Sequence, residues 1–92
     1  MTQRFRSVWD ALEDNPKDAA NMRLRAALMR ALQKHLRDHK LTQNDAAILF
    51  GVSQPRVSDL MRGKVDLFSV DMLANMAAKA NLEIRIQVRE TA

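Results

Sequence analysis

Apolar residues recur every three or four positions from residue 17 to about residue 39, as Leu24, Leu28, Ala31, Leu32 and Leu36. That period predicts one long helix with these side chains inward, and Asp18 near its start favours the helix dipole. Residues 41–64, LTQNDAAILFGVSQPRVSDLMRGK, then read as two short helices joined by a tight turn. Thr42 is placed to accept a backbone N–H bond as N-cap, with Asp45 at the third helical position. Ala46, Ala47, Leu49 and Phe50 supply an apolar face. Gly51 stops the helix, because glycine takes a left-handed conformation without a Cβ penalty. Ser53 is a second N-cap, and Pro55 falls in a first turn whose N–H groups have no intrahelical partner. In this second helix Val57, Leu60 and Met61 point inward, Gln54, Arg56, Ser58, Asp59 and Arg62 point outward, and Gly63 closes it.

The pattern changes twice more. Val65, Leu67 and Phe68 form a short connector expected to close the core beneath the turn, and Ser69 caps another helix. Within residues 70–80 only Asp71, Asn75 and Lys79 are polar, a single wet stripe on a helix that needs burial on more than one side. Asn81 is a plausible left-handed C-terminal cap. Leu82, Ile84, Ile86 and Val88 then alternate with Glu83, Arg85, Gln87 and Arg89, which predicts a half-buried β-strand over residues 82–89. No second strand is legible. A lone strand carries an unpaired row of backbone N–H and C=O groups, so the economical expectation is a two-fold dimer. In it, two copies of the strand pair antiparallel, and Leu73 and Met76 of the apolar helix join the interface beneath them.

Ahead of the long helix, residues 1–16 form an arm in which Phe5, Val8, Trp9 and Leu12 suggest a short amphipathic turn before the break at Asn15 and Pro16. Trp9 either tops up a small core or anchors a protein partner. Residues 17–92 make one domain. The formal charge is +4; residues 1–40 hold nine Lys/Arg against five Asp/Glu, whereas residues 41–92 hold six of each. The positive excess therefore lies ahead of the helix pair. Arg23, Arg30, Lys34 and Arg37 share one stripe of the long helix, either a solvated face or a contact for phosphates or an acidic partner. Cysteine is absent, which excludes disulfides, thiolate metal sites and a cysteine nucleophile. His35 and His39 have a metal-compatible spacing but no third ligand nearby, so no metal and no cofactor are expected. With no tyrosine, no glycine-rich phosphate loop and no activated acid–base pair, an enzyme is not expected. The apolar runs are too short for a membrane span or signal peptide, so the cytoplasm is the expected location.

Two helices joined by so short a glycine-containing turn cross steeply and project the polar N-terminus of the second into solvent. This stretch, LTQxxAAxxxGVSxxxVSxxxRG, resembles the helix-turn-helix of the Cro/repressor-like (XRE) family of DNA-binding proteins. The resemblance implies a mainly α, five-helix-type lambda-repressor-like domain, here with one C-terminal β-strand that pairs across a dimer. Such dimers hold two reading helices about 34 Å apart, in successive major grooves, so an inverted repeat in double-stranded DNA is the expected target. Gln54 can offer its amide bidentately to adenine, and Arg56 can donate to guanine or to a phosphate. Ser58 and Asp59 complete the candidate base-contact set. Thr42, Gln43, Asn44, Ser53, Arg62 and Lys64 are the candidates for the DNA backbone. The family resemblance further implies that Gln43 binds a phosphate and braces Gln54. Pro55 departs from family members that carry a polar base-contacting residue there, and Asp59 puts a negative charge on the reading face. Asp59 could accept from cytosine, pair with Arg56 or Arg62, or weaken affinity.

Across most of the chain, through FSVDMLANMAAKANLEIRIQV, the sequence is similar to small XRE antitoxins of the HigA type. That similarity implies a RelE-like mRNA-cleaving toxin as partner, with Trp9, Arg23 and Arg30 as candidate contacts, and autorepression of a shared promoter. A free-standing XRE regulator fits the same residues. So does a protein-interaction module that binds no DNA, which the near-neutral second half and Asp59 favour.

Overall fold

The computed structural model describes residues 16–91. The amphipathic turn expected around Trp9 lies outside the described residues. The long helix α1 spans Pro16–Asp38, followed by α2 (Gln43–Phe50), α3 (Gln54–Met61), a 3-10 turn (Val65–Leu67) and α4 (Val70–Lys79). Helix α1 packs along α4 and also meets α3 and the 3-10 turn, while α2 lies between α3 and α4. Each element contributes its apolar stripe to one core: Met29, Leu32 and Leu36 from α1, Ala46, Ala47 and Phe50 from α2, Val57 and Leu60 from α3, Phe68 from the connector, and Leu73, Met76 and Ala77 from α4.

The stripe on α1 is rotated from the one expected. Met29 is buried, whereas Leu24 is 42% exposed and Ala31 is exposed. Two sets of residues on this helix satisfy three-and-four spacing, and the inward one runs through Arg25, Met29, Leu32 and Leu36. Leu24 and Ala31 stand about a quarter-turn or more away. The connector differs too: Phe68 is buried and Val65 half-buried, but Leu67 is exposed.

All four α-helices end the same way. Lys40, Gly51, Gly63 and Asn81 have φ of 53°, 71°, 72° and 60°. After each, the next residue's N–H reaches back five residues: Leu41 to the Leu36 carbonyl, Val52 to Ala47, Lys64 to Asp59 and Leu82 to Ala77. This is the Schellman pattern, which satisfies carbonyls that the helix leaves unpaired. Three helix starts also share one device. The hydroxyls of Thr42, Ser53 and Ser69 accept from the backbone N–H of Asp45, Arg56 and Met72 at 3.0, 3.2 and 3.1 Å. Capped at both ends, α2 and α3 need only eight residues each.

Of the five-helix-type body expected, the described residues show four α-helices and one 3-10 turn, and they show no strand. Residues 82–91 carry no regular structure, because a strand is defined by its ladder and nothing else among the described residues offers one. Leu82 packs against the core, but Ile84, Ile86 and Val88 are exposed. Leu73 and Met76, expected at a dimer interface, are instead buried inside this chain's own core and have no surface to give a partner. Among the described residues, no helix is long and apolar enough to cross a membrane.

Candidate nucleic-acid interface

The face to be explained is built by α2 and α3, whose junction has no slack. Gly51 ends α2, and Ser53 begins α3 two residues later. Val57 and Leu60, fully buried, fix α3 by its apolar side. At 3.6 residues per turn, the residues opposite them are Pro55, Ser58, Asp59 and Arg62. Gln54 stands at the exposed start of the helix, and Ser58 and Asp59 are half-exposed along it. The ion pairs among the described residues are Lys34–Asp38 and Arg85–Glu83, so Asp59 is paired with neither Arg56 nor Arg62. The Lys34 ammonium, hydrogen-bonded to Asp38, holds that carboxyl below its ordinary value against a smaller opposing effect of desolvation.

Arg56 does not project with the others. It is half-buried on the flank of α3, its Nη1 donates to the Leu67 carbonyl at 3.0 Å, and its guanidinium carbon lies 5.4 Å from the centre of the Phe68 ring. A guanidinium over an aromatic face contributes about 0.5–2 kcal/mol, more as it is desolvated.

The candidate backbone contacts gather at two places. Thr42, Gln43 and Asn44 are exposed at the start of α2, and Ser53 is exposed at the start of α3. There the free N–H groups and the positive end of the dipole favour an anion. The Thr42 and Ser53 hydroxyls accept the capping N–H and still hold an O–H to donate. Arg62 and Lys64 are exposed at the other end of α3. Arg23 and Arg30 are exposed on α1, while Trp9 lies outside the described residues. The His35 and His39 rings stack with centroids 4.3 Å apart.

A model of the helix-turn-helix domain matches residues 11–89, which spans every element described above and begins inside the segment read as an arm. A solved structure described as a "Putative XRE Family Transcriptional Regulator" is similar at 30% identity, with a TM-score of 0.73, over 80% of this chain and 83% of that one. The chain belongs to the XRE-type helix-turn-helix family. No curated protein matches it.

Within this XRE-type domain, three polar residues make contacts that sequence reasoning did not assign to them. Arg25 donates through Nη1 to the carbonyls of Val65 and Phe68 at 3.2 and 3.4 Å, and through Nε to Asn21 Oδ1 at 2.7 Å. Gln33 donates to the Leu60 carbonyl at 2.8 Å. Lys79 lies across the turn of the helix-turn-helix: a Cβ added at Gly51 would sit 2.7 Å from its Cδ and 3.0 Å from its Nζ. An ammonium at the C-terminus of α2 is favoured by the dipole. Arg25 and Gln33 stand on the inward side of the helix, off the charged stripe that was read as a solvated face or a phosphate or partner contact, and the one available signal was their place beside Met29 and Leu32.

Proposed function

We propose that this protein is a sequence-specific DNA-binding transcriptional repressor that reads an inverted repeat as a dimer. The observation that carries the reading is the geometry of α3. Capped by Ser53 and pinned by Val57 and Leu60, it presents a polar face on a rigid support, with the exposed N-terminus of α2 beside it for the phosphates. Gln54, Ser58 and Asp59 are the proposed base contacts. Thr42, Gln43, Asn44, Ser53, Arg62 and Lys64 hold the DNA backbone, and Asp59, in no ion pair among the described residues, is placed to accept from cytosine N4. Pairing of two C-terminal segments through Ile84, Ile86 and Val88 supplies the two-fold axis. A cytoplasmic location goes with this role.

The finer reading is that of the antitoxin in a type II toxin–antitoxin pair, with a RelE-like toxin held at Trp9, Arg23 and Arg30; the similarity of sequence to HigA-type proteins supports it. Co-expression with the adjacent reading frame tests it, since a small toxic partner should co-purify. Absence of such a partner leaves a free-standing repressor.

The test of DNA reading is binding to the duplex upstream of its own gene and to a scrambled duplex, with the fold followed by circular dichroism. Gln54→Ala should remove roughly 1–3 kcal/mol of discrimination without lowering the melting temperature. Equal affinity for both duplexes in the unaltered protein, collapsing with salt, would instead mark a protein-interaction module, the reading that the acidic Asp59 on this face favours.

A further inference from the structure

We infer that Arg56 is a positioning residue, a strut that sets the rotation of the reading helix, and that it does not read a base. The inference rests on the DNA-reading assignment above. Three observations carry it. First, Arg56 stands on the flank of α3 toward the 3-10 turn, away from the stripe of Pro55, Ser58, Asp59 and Arg62 opposite the buried Val57 and Leu60. Second, its guanidinium is engaged twice within the chain, by the Leu67 carbonyl at 3.0 Å and by the face of Phe68, a ring only 3% exposed.

Third, the connector is held from both sides by the same chemistry. Arg25 of α1 takes the carbonyls of Val65 and Phe68, and Arg56 of α3 takes the carbonyl of Leu67 between them. Three carbonyls within four residues, where a 3-10 turn meets an extended residue, are thus bound by two guanidinium groups, the Val65 carbonyl in addition to its bond from the Phe68 N–H. Helix α1 is thereby coupled to α3 through the connector. To reach a base edge, Arg56 would have to leave both the Leu67 carbonyl and the Phe68 ring. Staying in place, it fixes the rotation of α3 about its axis and so decides which residues face the groove.

This role has a signature that base reading lacks. A base-reading arginine, when removed, relaxes preference at one base pair, whereas a strut, when removed, weakens every sequence alike. Duplexes randomised over about 20 base pairs, enough for two half-sites, are selected with the unaltered full-length protein. The enriched duplex and its single-base-pair variants are then titrated with Arg56→Met, Arg56→Lys and Gln54→Ala, at a temperature where circular dichroism shows each variant folded.

Arg56→Met should weaken binding to all these duplexes by the same factor, about tenfold, leaving the preference profile unchanged. Arg56→Lys should behave alike, because a lysine keeps the charge but lacks the planar fork and face. Gln54→Ala should flatten the profile at one position. Loss of preference at a single base pair in Arg56→Met would overturn the inference, and so would full affinity in Arg56→Lys, the mark of a simple phosphate contact. Unchanged affinity in folded Arg56→Met would overturn it as well, reducing the contact to stability alone. A selection that enriches nothing with the unaltered protein would overturn the DNA-reading assignment itself, and this inference with it.

Discussion

Lys40 and Gly51 occupy the same kind of backbone position with opposite suitability. Both sit at positive φ at the end of a helix, where an L side chain costs about 1–2 kcal/mol and glycine costs nothing sterically. Gly51→Ala should therefore destabilise the domain by about 1–2 kcal/mol, and more if Lys79, whose Cδ the new Cβ would meet, cannot move aside. Lys40→Gly should raise stability, by less than about 1 kcal/mol because glycine also loosens the unfolded chain. Urea titrations of the two variants check both signs. The sequence announced Gly51 and Asn81 as left-handed caps but not Lys40. Only residue type could signal such a position, and lysine signals nothing.

The helices were legible wherever they carry their own punctuation. Thr42, Ser53 and Ser69 each cap the helix they precede, a local interaction that depends on residues three apart and so can be read from a string. The rotation of α1 was not legible, because Leu24 and Met29 belong to two equally periodic stripes and only the shape of α4 and of the helix pair decides between them. The same holds for Arg25 and Gln33, whose partners lie 40 and 27 residues away. These two fasten α1 to the connector and to the end of α3. Gln33→Ala should cost about 1 kcal/mol, the usual net worth of such a bond, and should be seen in the urea midpoint. An unchanged midpoint would mean that the Leu60 carbonyl is satisfied well enough by its bond from the Gly63 N–H.

Taken together, the chain has a finished core and an unfinished end. Among the described residues thirteen buried apolar side chains close the helical body, while beyond Leu82 the alternating apolar side chains face solvent, with Val88 88% exposed. The alternation predicted a half-buried strand, but a ladder needs a partner, and the described residues contain none. If two copies pair there, the unaltered protein should sediment as a dimer, and Ile86→Asp should give a folded monomer whose DNA affinity falls to that of a single half-site. A monomeric unaltered protein would remove the two-fold reading. The outward face of α3 was legible as polar, but the lateral contact of Arg56 with the connector was not, since its partners Leu67 and Phe68 lie 11 or more residues on in the chain. The joint at residues 51–53 carries a last consequence. With a cap on either side and no spare residue between, it acts as a gear with fixed phase. A single inserted residue would leave two helices free to re-seat out of step with each other, and the protein could remain folded while facing DNA with the wrong teeth.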